Sequence, residues 1–149
     1  MRCVAWLQAA LLMMATLCRV RAAAPVPCFL SIGDWGSAEP TTARLGMAMR
    51  AVVEAPLAFG CASVELVVSL GDNFYDNGVV NTTDPLWNTV FVDQFRRPGN
   101  VTSPAMTTLP WLVALGNHDY GLSGSAFAVQ PSRAQAQVDY GRTVDPNWI

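Results

Sequence analysis

The sequence predicts an α/β fold in which a mostly parallel sheet is flanked by helices. Three apolar runs, within residues 29–34, 66–72 and 111–119, are separated by stretches with helical periodicity. This order is typical of strand–helix–strand units with parallel strands. Each run ends in a glycine followed by a polar residue. Because ligands of open α/β folds bind at the carboxyl ends of the strands, we expect these polar residues to meet at one edge of the sheet.

The first strand is predicted over residues 26–33, and the triplet Asp34-Trp35-Gly36 closes it. A glycine at position 36 allows the backbone to pass close to a group held by Asp34. Pro40 begins a predicted helix, whose apolar residues recur at three- and four-residue spacing. The second strand is predicted over residues 64–70, so a right-handed crossover joins it to the first.

The remaining elements follow from capping and breaking signals. Asp84 is a predicted N-cap with Pro85 at the first helical position. The third strand is predicted over residues 111–115. Ser132 is a predicted cap of a short helix that reaches Tyr140, and residues 145–149 have the composition of a turn.

The start of the chain predicts a secretory signal peptide over residues 1–22. The chain has 149 residues, which suggests one domain or part of one, and its mean hydropathy of +0.28 is high for a soluble domain. Arg2, an apolar run over 4–17 and small residues at 22–24 have the order of a cleaved signal. The alternative is a membrane anchor, but the run is shorter than the ~20 residues needed to span a bilayer. The net charge of −2 indicates neither a nucleic-acid nor a membrane surface.

Two cysteines and two glycosylation sequons provide information on the cellular compartment of the protein. In an oxidising compartment Cys28 and Cys61 form a disulfide or remain two buried thiols, and the sequence leaves both open. Counted back from the strand ends they are out of register by several residues, so pairing requires the chain before the second strand to fold back. Asn81 and Asn100 begin glycosylation acceptor patterns, which support passage through the secretory pathway.

Five polar residues at the strand ends are the candidate site: Asp34, Asp72, Tyr75, Asn117 and His118. Taken singly, each is explained as a turn residue, a packed ring or a core histidine. Taken together at one sheet edge, they are oxygen and nitrogen ligands of the kind that bind hard or borderline metal ions. Asp72 is the candidate bridge between two cations, as carboxylates are in two-metal hydrolases. A phenolate favours a trivalent ion.

At these residues the sequence resembles the metallophosphoesterase superfamily, and within it the purple acid phosphatases of the tartrate-resistant type. The three motifs are DWG at 34–36, GDNFY at 71–75 and GNHD at 116–119. Other metallophosphoesterases have a histidine two residues after the first aspartate, where this chain has Gly36, and Tyr75 supplies a ligand instead. The resemblance implies that residues 26–149 form a partial calcineurin-like metallophosphoesterase domain, the N-terminal half of an α/β sandwich.

The resemblance also implies a role for each site residue. Asp34 and Tyr75 would bind Fe(III), and Asp72 would bridge to a divalent iron, zinc or manganese ion held by Asn117. His118 would contact the phosphate and help to protonate the leaving group. The implied activity is hydrolysis of phosphate monoesters at acidic pH by a metal-bound hydroxide. The expected partner is a small phosphoester, with no nucleic acid and no membrane after signal removal, in a secreted, lysosomal or vacuolar protein.

The chain departs from the family in its histidines. The family also carries Val-x-x-His and Gly-His-x-His motifs, whereas this chain has a single histidine, His118. We therefore expect a partial or truncated member that is inactive alone, with an open sheet edge and an uncovered apolar face. Two alternatives are a phosphodiesterase or nucleotidase on the same fold, and a secreted non-catalytic binding protein that retains half of the scaffold.

Overall fold

The computed structural model describes residues 24–121 and 129–149, so the predicted signal peptide lies outside the described residues. The helices and strands, in chain order, are β1 (Val26–Ile32), α1 (Pro40–Glu54), β2 (Cys61–Ser69), α2 (Trp87–Arg96), α3 (Pro104–Thr108), β3 (Trp111–Val113) and α4 (Pro131–Thr143). Short 3-10 turns occur at Pro56–Phe59, Pro98–Asn100 and His118–Tyr120. Within the described ranges, no helix combines the length and apolar character that crossing a membrane requires.

The sheet has three parallel strands in the order β1-β2-β3, which confirms the predicted fold class. β3 is two residues shorter than predicted. Beside it lies Trp148, which forms a bridge with Trp111, followed by Ile149. Ile149 donates its N–H to the carbonyl of Trp111 at 2.8 Å, and Val113 donates to the carbonyl of Ile149 at 2.8 Å. The prediction of a turn over 145–149 is therefore right only for its start, where Asp145 accepts the N–H of Asn147.

Cys28 and Cys61 form a disulfide, which settles the alternative that the sequence left open. Register shifts on both sides of Cys28 place Val26, rather than a later residue, opposite Cys61. The two cysteine Cα atoms are consequently 5.7 Å apart. The offset expected from simple counting is absorbed by irregular pairing at the start of β1, and the chain before β2 does not need to fold back.

The helices differ in detail from their predicted bounds. Asp84 caps the turn that leads into α2, because its Oδ1 accepts the N–H of Leu86 at 3.0 Å. The hydrogen bonds of α2 itself follow the wider π pattern. α4 begins one residue before Ser132 and continues past Gly141. Gly141 lies against the carbonyl of Trp148, where a Cβ would be 2.0 Å from the oxygen, so this glycine serves close packing and does not end the helix.

The hydrophobic core lies between one face of the sheet and the helices. Its largest members are aromatic and pack mostly edge-to-face: Trp35, Phe74, Trp87, Phe91, Phe95, Trp111, Tyr140 and Trp148. The strand residues that alternate with the core positions are exposed, including Phe29 at 64% and Leu112 at 51%. Apolar side chains on this face of the sheet are therefore exposed among the described residues.

Candidate metal centre

The predicted site begins with two aspartates that follow β1 and β2 in the same unusual backbone conformation. Asp34 has φ of 56° and Asp72 has φ of 54°, the left-handed region that non-glycine residues seldom adopt. Asp34 donates its N–H to the carbonyl of Gly71, and Gly36 donates to the carbonyl of Asp72, both at 3.2 Å. The two strand ends are thereby bonded to each other and turn together at the sheet edge.

Gly36 is required for that contact between the two segments. A Cβ at position 36 would lie 2.5 Å from the backbone nitrogen of Phe74. The backbone of Gly36 also accepts the N–H of Tyr75 at 2.8 Å. The predicted close approach at Gly36 is therefore made by the segment that follows β2.

Tyr75 joins the two carboxylates. Its hydroxyl oxygen lies 2.9 Å from Asp34 Oδ1 and 3.2 Å from Asp72 Oδ2. Desolvation, reinforced by the two carboxylates, raises the pKa of the Tyr75 phenol well above its ordinary value. The phenol therefore keeps its proton, and its O–H donates a hydrogen bond shared between the two carboxylates. Three oxygen-bearing side chains from the ends of two strands thus lie close together.

His118 reaches the same place from the segment after β3. Its backbone N–H donates to Asp72 Oδ1 at 3.1 Å, and its ring packs edge-to-face on that of Tyr75 with centroids 4.4 Å apart. Its Nδ1 lies 2.6 Å from the carbonyl oxygen of Asp76. Because a carbonyl only accepts, Nδ1 is the donor in this contact.

Asn117 occupies an exposed position between Gly116 and His118. Gly116 itself lies against Asp72, where an added Cβ would be 2.2 Å from Oδ1. All five predicted site residues are thus at the carboxyl edge of the sheet.

The described side chains offer more ligands to one hard cation than to a second. Asp34, Asp72 and Tyr75 offer three oxygens of the type that a trivalent ion prefers. A second ion would have Asp72 and Asn117. Across residues 24–121 and 129–149, no cluster of three or more histidine, cysteine, aspartate or glutamate side chains is arranged to hold a metal.

Several residues important to the site's architecture were not predicted. Asp119 is fully buried and accepts the N–H groups of Asn73, Phe74 and Gly116 at 2.8–3.2 Å. Gln137 of α4 donates to it at 2.7 Å. The position of Asp119 at the end of the GNHD motif could have indicated its role at the site. No motif surrounds Gln137, so the sequence gives no indication of its role.

The two predicted glycosylation positions are accessible. Asn81 and Asn100 are both exposed, as are the threonines Thr83 and Thr102 that complete their acceptor patterns. Asn81 Oδ1 accepts the hydroxyl of Thr83 at 2.9 Å. Surface exposure is a requirement that both sequons meet, and their modification stays a prediction.

Comparison with known proteins points to one group of enzymes. No protein-family model matches the chain. Purple acid phosphatase 3 of Arabidopsis thaliana is 36% identical over 93 residues, which are 62% of this chain and 22% of that protein. Purple acid phosphatase 4 of the same plant is 38% identical over 96 residues, 62% of this chain and 24% of that protein. Tartrate-resistant acid phosphatase type 5 of Mus musculus is 31% identical over 99 residues, 65% of this chain and 28% of that protein.

The matched segments thus span about a quarter of the length of these relatives. They agree with the three motifs in indicating the same group, and the parallel α/β sheet agrees with the fold that the resemblance implies. The predicted resemblance is therefore confirmed: this chain is similar to purple and tartrate-resistant acid phosphatases over about a quarter of their length.

Proposed function

We propose that this chain represents part of a secreted acid phosphatase that hydrolyses small phosphate monoesters at a dinuclear Fe(III)–M(II) centre. The observation that carries the proposal is the position of the Tyr75 hydroxyl between the carboxylates of Asp34 and Asp72. A tyrosine in that place distinguishes a site for a trivalent ion from a general divalent site, because an anionic phenolate suits the higher charge.

Each side chain of the site is assigned to one of the two proposed metal ions. Fe(III) would be held by Asp34, Tyr75 and Asp72, and a divalent iron, zinc or manganese ion by Asp72 and Asn117. When bound, such ions lower the pKa of water and polarise a phosphoryl oxygen. The Tyr75 hydroxyl lies within hydrogen-bond distance of both carboxylates, so the three proposed oxygen ligands are already close enough to share one cation.

His118 has the proposed role of proton donor to the leaving alkoxide. Its Nδ1 is engaged by the Asp76 carbonyl, so a doubly protonated ring has Nε2 for donation. The ring of Tyr75 packs edge-to-face on the imidazole, and with the Asp76 contact it would hold the ring in one orientation. Orientation of this kind brings an acid to a bound phosphoester without a large entropic cost at the moment of reaction.

The secretory pathway is the proposed location. The support comes from the signal-like residues 1–22, from the Cys28–Cys61 disulfide and from the exposed sequons at Asn81 and Asn100. Disulfides persist mainly in oxidising compartments. A secreted, lysosomal or vacuolar protein is consistent with all three.

The test is a titration of the 149-residue chain with Fe(III), supplied as its nitrilotriacetate complex and followed by visible absorption. We expect a phenolate-to-iron charge-transfer band in the wild-type chain and in a Tyr140→Phe control, whose hydroxyl belongs to the core. The band should be absent in Tyr75→Phe. A band of equal strength in Tyr75→Phe would show that Tyr75 does not bind the ion.

Activity is measured on the natural gene product, since the chain matches about a quarter of its relatives. Hydrolysis of p-nitrophenyl phosphate at acidic pH, lost in Asp72→Ala, is the expected result. Preference for bis-p-nitrophenyl phosphate would favour the phosphodiesterase alternative. Iron-free, inactive protein would favour the non-catalytic one.

A further inference from the structure

A continuous row of buried polar side chains lies beneath the candidate metal centre. Trp35 donates its Nε1–H to Ser69 Oγ at 2.8 Å, and Ser69 in turn donates to Asn73 Oδ1. Asn73 Nδ2 donates to Asp119 Oδ2 at 3.1 Å, and Gln137 Nε2 donates to Asp119 Oδ1 at 2.7 Å. All five side chains are at most 2% exposed. The row therefore crosses the core from the end of β1 to α4.

Every segment that carries a proposed ligand is attached to this row. Trp35 adjoins Asp34, and Asn73 adjoins Asp72. Asp119 is separated by one residue from Asn117. The row thus connects the three strand ends through side chains that do not themselves face the metal centre.

Asp119 is the junction of the row. Its two oxygens accept backbone N–H groups from both sides of the site: Asn73 and Phe74 after β2, and Gly116 after β3. A buried carboxylate that receives this many donors holds their positions rigidly, because displacing any one of them leaves a buried polar group unsatisfied.

Gln137 fixes the orientation of this junction from outside the three motifs. Its Nε2 donates to Asp119, while its Oε1 accepts from Asn73 Nδ2 at 3.2 Å. One amide therefore contacts both partners, which also bond directly to each other, while Asn73 Nδ2 donates in addition to the carbonyl of Ala114 at 2.8 Å. Because Gln137 is on α4, the packing of that helix is transmitted to the ligand-bearing segments.

We propose that Gln137 and Asp119 are positioning residues that hold the segments bearing Asp72, Tyr75 and Asn117 in one metal-binding arrangement. This inference rests on the proposed function for the identity of the metal. Neither residue is proposed to contact the ion or the substrate. Their effect is on the relative placement of two strand ends that otherwise meet only at the sheet edge.

The experiment compares Gln137→Met with Arg96→Met in the 149-residue chain. Methionine matches the length of glutamine and removes both hydrogen bonds. Arg96 belongs to a different buried network, with the carbonyls of Met106 and Leu109 before β3, so its loss serves as a control for a general loss of stability. Asp119→Asn is a second variant, in which the amide nitrogen faces donors. Both Fe(III) nitrilotriacetate titration and amide hydrogen exchange are measured.

We expect Gln137→Met to bind Fe(III) at least tenfold more weakly, with a weaker charge-transfer band, while Arg96→Met keeps the affinity and the band of the wild type. Amide exchange at Asn73, Phe74 and Gly116 should accelerate in Gln137→Met and not in the control. Folded Gln137→Met with wild-type affinity and spectrum would overturn the inference.

Failure of the proposed function is distinguishable from failure of this inference. If the wild-type chain binds no Fe(III), the proposed function fails, and exchange alone decides the positioning role. Faster exchange confined to the three amides bonded to Asp119 would then support the role, and unchanged exchange would overturn it.

Discussion

Reduction of the Cys28–Cys61 disulfide should destabilise the chain substantially without altering the candidate metal centre. The bridge joins the starts of β1 and β2, at the opposite end of the strands from Asp34 and Asp72. It closes a loop with a sequence separation of 33 residues, which includes α1. Reduction of the bridge raises the conformational entropy of the unfolded chain, while the strands of the folded state can still pair.

The magnitude follows from the loop length. In the chain-entropy treatment, closing a loop of this size removes about 12.5 cal/mol/K of entropy from the unfolded state. That corresponds to about 3.7 kcal/mol of stability at room temperature. Small domains have only about 5–15 kcal/mol in total, so reduction should remove a large fraction of it.

The assay is urea unfolding of the oxidised and reduced chain, followed by tryptophan fluorescence. A Cys28→Ser/Cys61→Ser double variant serves as a reductant-independent comparison, and peptide mapping identifies the linked peptides. We expect the free energy of unfolding to fall by roughly 3–4 kcal/mol, with unchanged Fe(III) affinity below the transition. If the free energy of unfolding falls by less than about 1 kcal/mol, the entropic explanation is refuted.

Three further results are expected. In an alkaline titration without metal, Tyr75 should ionise at higher pH than an ordinary tyrosine, because its pKa in the folded state is raised. Its contribution to stability is present below the ordinary phenol pKa of about 10 and is lost as the pH rises through the pKa of the folded state. Tyr75→Phe should remove one late-ionising phenol from the titration followed by absorbance. Arg96→Met should lower the urea unfolding free energy by about 3 kcal/mol, because Arg96 is buried and its ion pair with Asp145 at 2.8 Å is partly buried; a loss within 0.5 kcal/mol of zero, the usual range for surface changes, would contradict this. Gly116→Ala should abolish Fe(III) binding, because its Cβ would lie 2.2 Å from Asp72 Oδ1, and wild-type affinity would contradict that geometry.

The sheet and the strand-end cluster were predictable because both depend on local patterns. Apolar runs that end in glycine and a polar residue specify buried parallel strands, and parallel strands bring their carboxyl ends to one edge. That is sufficient to place Asp34, Asp72 and His118 together. The contact between the Tyr75 hydroxyl and both carboxylates depends on the left-handed conformation of the two aspartates, which the sequence does not report.

The features that escaped prediction depend on contacts between distant residues. The pairing of Cys28 with Cys61 depends on irregular register at the start of β1, and such bulges have no clear signature in this sequence. Residues 145–149 have turn composition, yet Trp148 is drawn beside β3 by burial in the aromatic core. Gln137 meets Asp119 only through the packing of α4.

The most direct test of the proposed metal centre is a crystal structure of the chain grown with Fe(III), with the ion located by its anomalous scattering. An iron peak within bonding distance of carboxylate oxygens from Asp34 and Asp72 and of the Tyr75 hydroxyl oxygen is the expected result. An iron peak elsewhere on the chain, or a Tyr75 hydroxyl still bonded to both carboxylates in iron-saturated crystals, would contradict the proposal.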